Sequence, residues 1–139
     1  MISLLNAFKA APARPGPANL DMDRFKRLRW QTFLSMSLSY ALFYVCRLSF
    51  NVVKPALVAH NLLSPAQLGI IGSALFFAYA IGKLVNGFLA DHANVRRFMM
   101  LGLLLSALVN ACMGLTTNTV ILTLIWGLNG WAQSMGVGP

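Results

Sequence analysis

In the stretch YALFYVCRLSFN, Tyr40, Tyr44, Arg47 and Asn51 stand at i, i+4, i+7 and i+11, which puts all four on one face of a helix. In a second apolar stretch Tyr79, Lys83 and Asn86 repeat the order at i, i+4 and i+7. Each face offers hydroxyls, an amide and one cation, while the rest of each helix is lipid-like. Hydrogen-bond donors combined with positive charge suit the wall of a wet cavity whose occupant is an anion. A guanidinium presents a planar fork to phosphate oxygens, and tyrosine hydroxyls and an ammonium satisfy the remaining lone pairs, so a phosphate ester is preferred. A carboxylate also fits Arg47, and the residues by themselves support an anion with phosphate as the preference.

Neither cation has an acidic neighbour in an apolar stretch, and a cation at mid-bilayer costs about 2.5–3.5 kcal/mol on insertion scales. Something must offset that cost. Arg47 stands roughly 26 Å above Trp30 at 1.5 Å per residue, and Lys83 roughly 12 Å from Asp91, so snorkelling to either surface is the plain alternative. Pairing with acids on further helices is another. The same rise separates the two cations by roughly 14 Å along the membrane normal, so they need not touch one phosphate together and one can sit along the pathway.

The elements that must position these faces are transmembrane helices. Of 139 residues, 58% are hydrophobic and 10% charged, which excludes an ordinary soluble domain. Four segments are apolar and long enough to span: about 30–51, 65–90, 98–115 and 119 to the end. The class is therefore all-α and polytopic, with a basic cytoplasmic tail over residues 1–29 and membrane helices over 30–139. Within the tail, KAAPARPGPANL reads as irregular and MISLLNAF is too short for a signal-peptide core. VVKPALVAHNLLSP, with Lys54, Pro55 and Pro65, reads as a loop outside the membrane. Basic residues crowd before Trp30, thin to Lys54 in that loop, return as Arg96 and Arg97, and vanish in TTNT. That alternation places the N-terminus in the cytoplasm.

Several functions fall away. The 11 basic and 3 acidic residues would suggest nucleic acid in a soluble protein, but their placement makes lipid the partner instead. Cys46 and Cys112 lie in apolar runs and read as small buried hydrophobes. The sequence points to no cofactor, no metal and no enzyme, since nucleophile, base and metal-ligand sets are not clustered. A small four-helix exporter would need an intramembrane carboxylate for proton coupling, and the three acids lie elsewhere. Gly69, Gly72, Gly82 and Gly87, Gly102 with Ser106, and Gly127 and Gly130 are expected to let helix backbones approach closely in lipid. The apolar ending GLNGWAQSMGVGP predicts that the chain is the first part of a longer polypeptide.

GFLADHANVRRF places Asp91 at a helix C-terminus, where the dipole disfavours an acid, which suggests a partner in Arg96, Arg97 or another helix's N-terminus; a solvated loop with ordinary charges is the alternative. The segment resembles the loop motif of the major facilitator superfamily, Gly-x-x-x-Asp-(Arg/His)-x-(Gly/Asn)-x-Arg-Arg, carried by Gly87, Asp91, His92, Asn94, Arg96 and Arg97. Together with YALFYVCRLSFN, LGIIGSALFFAYAIGKLVNGFLADHANVRRF and LIWGLNGWAQSMGVGP, it is similar to the organophosphate:phosphate antiporters, which include glycerol-3-phosphate and hexose-phosphate transporters and a sugar-phosphate sensor. The resemblance implies a twelve-helix fold of two six-helix halves, of which this chain supplies four helices. It also implies exchange of inorganic for organic phosphate by rocking of the halves, with the remaining helices as partners.

On that resemblance Arg47 is the first-helix arginine that binds phosphate, Tyr40 and Tyr44 line the site, Lys83 faces the pore, and Gln133 is the fourth-helix glutamine. The chain departs from the pattern at Leu48, where a lysine is usual, and at Val137-Gly138 in place of Trp-Pro. YALFY and SFN lie nearest the sensor-like branch, which keeps open a receptor for hexose phosphate with a membrane signalling partner.

Overall fold

The computed structural model describes residues 21–136, and within them four helices and no strand. They are α1 (Met22–Ala59), α2 (Pro65–Asp91), α3 (Val95–Met113) and α4 (Thr119–Ser134). The expectations for KAAPARPGPANL, MISLLNAF and Val137-Gly138 lie outside the described residues. By length and composition α1, α2 and α3 can each cross a membrane. The fourth expected span appears as a helix of 16 residues, shorter than the other three.

Local chemistry sets the ends. The Asp21 carboxylate caps α1 by accepting from the amides of Asp23 and Arg24 at 3.1 and 3.4 Å, so the helix starts two turns before Trp30. Arg24, Lys26, Arg27 and Arg29 are therefore helical. Ser64 opens α2 in a capping box, its hydroxyl accepting from Gln67 N–H and the Gln67 side chain accepting from Ser64 N–H, with Pro65 in the first turn. Asn94 caps α3 by accepting from the Arg97 amide, and Asn118 caps α4 by accepting from the amides of Val120 and Ile121.

The stretch VVKPALVAHNLLSP is not a loop over most of its length. Helix α1 runs through Pro55 to Ala59. Proline removes one N–H from the ladder but leaves neighbouring bonds intact, and transmembrane helices absorb such a loss. The connection shrinks to residues 60–64, with Asn61 at φ 54° turning the chain, and Lys54 becomes a helical residue.

The most intimate helix pair is α2 with α4, followed by α3 with α4, and α1 leans on α3. Lipid tails are as apolar as leucine, so small residues rather than hydrophobic drive decide this order. A Cβ added at Gly130 would collide with the Leu75 backbone, one at Gly102 would come within 2.8 Å of the Ala132 carbonyl, and one at Gly82 would strike Ser134. Gly69 and Gly87, expected to join this set, have nothing within 4 Å and contribute no close approach. Phe50, Leu63, Leu68, Ile71, Leu75, Leu122 and Trp126 form a core toward one end, and Ala90, Phe98 and Met135 a smaller one toward the other.

Because Gly130 meets backbone rather than a movable side chain, Gly130→Val is expected to cost about 1–3 kcal/mol of stability. Gly87→Ala is expected to cost far less, and unfolding of both variants in detergent micelles checks the contrast.

Candidate functional site

The two tyrosine-bearing faces meet along the seam between α1 and α2. The Arg47 guanidinium lies 4.6 Å from the centre of the Tyr79 ring and 5.6 Å from that of Tyr44, and Lys83 Nζ lies 5.4 Å from the Tyr79 ring. Tyr40 and Tyr44 pack edge to face at 5.1 Å, with their hydroxyls 3.5 Å apart, at the outer limit of a hydrogen bond. Tyr79 is thus shared by both cations, which stand no more than about 10 Å from each other. That is closer than the roughly 14 Å expected from helical rise alone. Their mutual repulsion at that range is on the order of 1–2 kcal/mol at an effective dielectric of about 20, a cost that an anion between them relieves.

Helix α4 supplies the third wall. Arg47 Nε donates to Gln133 Oε1 at 2.8 Å, and Gln133 is only 1% exposed. Its own Nε2 donates to Asn129 Oδ1 at 3.2 Å, and the Ser106 hydroxyl of α3 donates to the same oxygen at 2.6 Å. With Asn129 Oδ1 accepting twice, the Gln133 amide is held in the orientation that turns its oxygen toward Arg47. Asn129 Nδ2, fully buried, has no partner among the described residues. The chain of bonds closes on α1: Asn110 Nδ2 donates to the Ser106 carbonyl at 2.9 Å, and the Ser49 hydroxyl donates to Asn110 Oδ1 at 2.6 Å.

Anchoring through Nε has a chemical consequence. The terminal nitrogens of Arg47 donate to none of the described residues, so the face of the guanidinium that suits two oxygens at once is not consumed by the protein. Among the described residues the acids are Asp21 and Asp23 at the start of α1 and Asp91 at the end of α2, the same end of the bundle, so no carboxylate competes at the seam.

Of the residues expected to act together, Tyr40, Tyr44, Arg47, Tyr79, Lys83 and Gln133 converge. Asn51 shares the α1 face but is exposed and makes none of these contacts. Asn86 does not belong to the stripe: it is 2% exposed and donates to the Ser134 hydroxyl at 2.6 Å, so it fastens α2 to α4. Helical spacing from Tyr79 places it within reach of that face, but the close approach at Gly82 turns it inward. In the loop, Asp91 is exposed and makes no ion pair with Arg96 among the described residues, while His92 Nδ1 lies 3.1 Å from the Phe88 carbonyl. Gly87 is open, and Arg96 lines a cleft between the starts of α1 and α3 with Thr32, Ser35 and Met100, away from Arg47. The sequence marks Ser106 only as a small residue for close helix packing and does not mark Asn129, since a serine and an asparagine in glycine-rich helices resemble ordinary packing residues. Their only signal was polarity within an apolar run.

A sequence model described as Major Facilitator Superfamily matches residues 36–139, three quarters of the chain. The chain belongs to the Major Facilitator Superfamily. Among curated superfamily relatives it is 42% identical over 116 residues to a protein named probable hexose phosphate transport protein from Chlamydia pneumoniae, covering 84% of this chain and 26% of that one. It is 40% identical over 141 residues to the glycerol-3-phosphate transporter of Haemophilus influenzae, covering 98% of this chain and 29% of the relative. It is 32% identical over 136 residues to the membrane sensor protein UhpC of Escherichia coli, covering 98% and 31%. The chain thus spans between about a quarter and a third of the length of the curated relatives it matches. These relatives are the kinds of protein that the stretches around Arg47, Lys83 and Asp91 resemble, and with the apolar helices they make the chain a multi-pass membrane protein of this superfamily.

Ser106→Ala removes one of the two donors that orient Asn129. It is expected to cost about 0.5–2 kcal/mol, the scale of an interhelical hydrogen bond in membrane proteins. Equilibrium unfolding in mixed micelles reads that difference, and Ser106→Thr, which keeps the hydroxyl, is expected to lose less.

Proposed function

We propose that this segment supplies the first-helix side of an organic-phosphate site in a transporter that exchanges inorganic phosphate for an organic phosphate, glycerol-3-phosphate or a sugar phosphate. The single observation that carries this reading is the setting of Arg47: Nε tied to Gln133, terminal nitrogens without a partner among the described residues, and Lys83 beside it with no carboxylate near. Such a guanidinium is pre-organised for a bidentate bond to a phosphate, and the neighbouring ammonium compensates the second negative charge. Tyr40, Tyr44 and Tyr79 supply hydroxyls, and Asn51 lies on the approach. The names of the relatives favour phosphate over carboxylate.

Transport belongs to the complete polypeptide, with further helices as its other half. The bilayer is its solvent, the N-terminus lies in the cytoplasm of a bacterial inner membrane, and the work is binding and conformational change rather than bond chemistry. Alternating access requires two global states. Gly87, Asp91, Arg96 and Arg97 form the loop that sets their balance, with Asp91 available to another helix's N-terminus in one state. A second reading, a membrane sensor that binds hexose phosphate and signals to a partner, is favoured by the 32% identity to UhpC across nearly the whole chain.

In the complete polypeptide Arg47→Lys keeps the charge and loses the fork, so phosphate-ester affinity is expected to fall about 10–100-fold, the worth of one charge-assisted bond. Unchanged binding of radiolabelled glycerol-3-phosphate and glucose 6-phosphate by that variant would remove Arg47 from the site. Flux in liposomes separates the two readings, since a sensor binds without exchange. Asp91→Asn is expected to change the labelling of cysteines introduced on the two sides of the membrane more than it changes affinity; identical labelling would take the loop out of the gate.

A further inference from the structure

Lys54 was expected in a loop, yet it sits two turns beyond Arg47 on α1 and on the same face, continuing the line Tyr40, Tyr44, Arg47, Asn51. Lys54 is half-buried, and its ammonium lies over the Phe50 ring at 5.3 Å from the ring centre. On α2 it comes against Gly72, where an added Cβ would lie 3.8 Å from Lys54 Nζ. The register is regular: Arg47 meets Tyr79, and seven residues along each antiparallel helix Lys54 meets Gly72, which carries no side chain to close the seam. Phe50 is fixed by its own contact with Trp126, ring centres 5.0 Å apart, so the platform under the ammonium is rigid.

We infer that Lys54, above the bare backbone of α2 at Gly72, forms a separate entry subsite for a phosphate group at the end of the seam remote from the basic N-terminal segment, one step before Arg47. The inference rests on Arg47 being the phosphate-binding cation. Three cations then follow one another along the seam, Lys54, Arg47 and Lys83, while all three acids of the sequence lie toward the opposite end. Lys54 lies roughly 10 Å from Arg47 along α1, two helical turns away, which makes it a separate position near enough for the group to pass between them. An ammonium resting on a ring, with no carboxylate near it, binds an incoming anion weakly and releases it inward, as a pathway step must. Where the resemblance leads one to expect a lysine, Leu48 supplies none, and Lys54 returns a second cation to α1 at a different height.

The test uses the complete polypeptide in liposomes with radiolabelled inorganic phosphate supplied from either side. Lys54→Gln is expected to raise the half-saturating phosphate concentration about 3–10-fold on the side remote from the basic segment only. It is also expected to flatten the dependence on added potassium chloride and to leave the maximal rate unchanged; Lys54→Arg restores the wild-type values. A protein that binds without exchanging is read by phosphate protection of Asn51→Cys from an impermeant maleimide, with and without Lys54→Gln. An unchanged half-saturation on that side overturns the subsite, and so does an equal rise on both sides, which marks a general packing effect. If Arg47→Lys binds phosphate like the wild type, the Arg47 reading falls and this inference with it. Loss on Arg47→Lys with no effect of Lys54→Gln removes the Lys54 step alone.

Discussion

A guanidinium placed in hydrocarbon with no carboxylate beside it must be held by neutral groups, and the bond from Arg47 Nε to Gln133 Oε1 is how this bundle does so. A carboxylate in that position would have neutralised the charge and occupied the fork. An amide oxygen carries only a partial charge, so it orients the guanidinium while leaving its positive charge for a ligand. The Tyr79 and Tyr44 rings add attraction without consuming a donor. Most other features of the four helices serve to keep that amide where it is.

Helices α2 and α4 form the platform, brought together by Gly130 and Gly82 and tied by Asn86 to Ser134. On that platform Gln133 is fully enclosed, and Asn129 with Ser106 fixes which way its amide faces. Helix α1 is the loosely packed member, docked at Phe43 and Phe50 and by the polar circuit that leaves through Arg47 and returns through Ser49. A helix seated by a few directional bonds rather than by broad packing suits the ligand-bearing, mobile role proposed for α1. The positive line along the seam is kept apart from the acids, which stay at one end, where Asp21 caps α1 and Asp23 lies in its first turn.

Much of this was legible in the sequence, for definite physical reasons. The period of the tyrosines and cations put Tyr40, Tyr44 and Arg47 on one face and Tyr79 with Lys83 on another, and the structure joins those faces. Helix existence followed from apolar length. What failed were inferences in which one residue type was taken to decide: Pro55 did not end α1, because one missing donor is affordable in a long transmembrane helix, and so Lys54 was misplaced. Asn86 was assigned to the polar stripe because spacing cannot tell which side of a helix meets a glycine-lined neighbour. Gly69 and Gly87 looked like packing sites for the same reason that Gly130 did, and only the location of α4 separates them. Gln133 was found through resemblance alone; Ser106 was legible only as a small packing residue, and the bond it gives Asn129 is a tertiary fact with no local signature.

The central claim is that the Arg47 fork is open and is filled by phosphate. The most direct measurement is the rate at which an arginine-selective dicarbonyl reagent modifies Arg47 in the complete, reconstituted polypeptide, followed site by site by mass spectrometry with and without inorganic phosphate. The prediction is that Arg47 reacts when phosphate is absent and is protected saturably when it is present, while Arg24 and Arg29 react at rates phosphate leaves alone. Modification of Arg47 at the same rate under both conditions would contradict it.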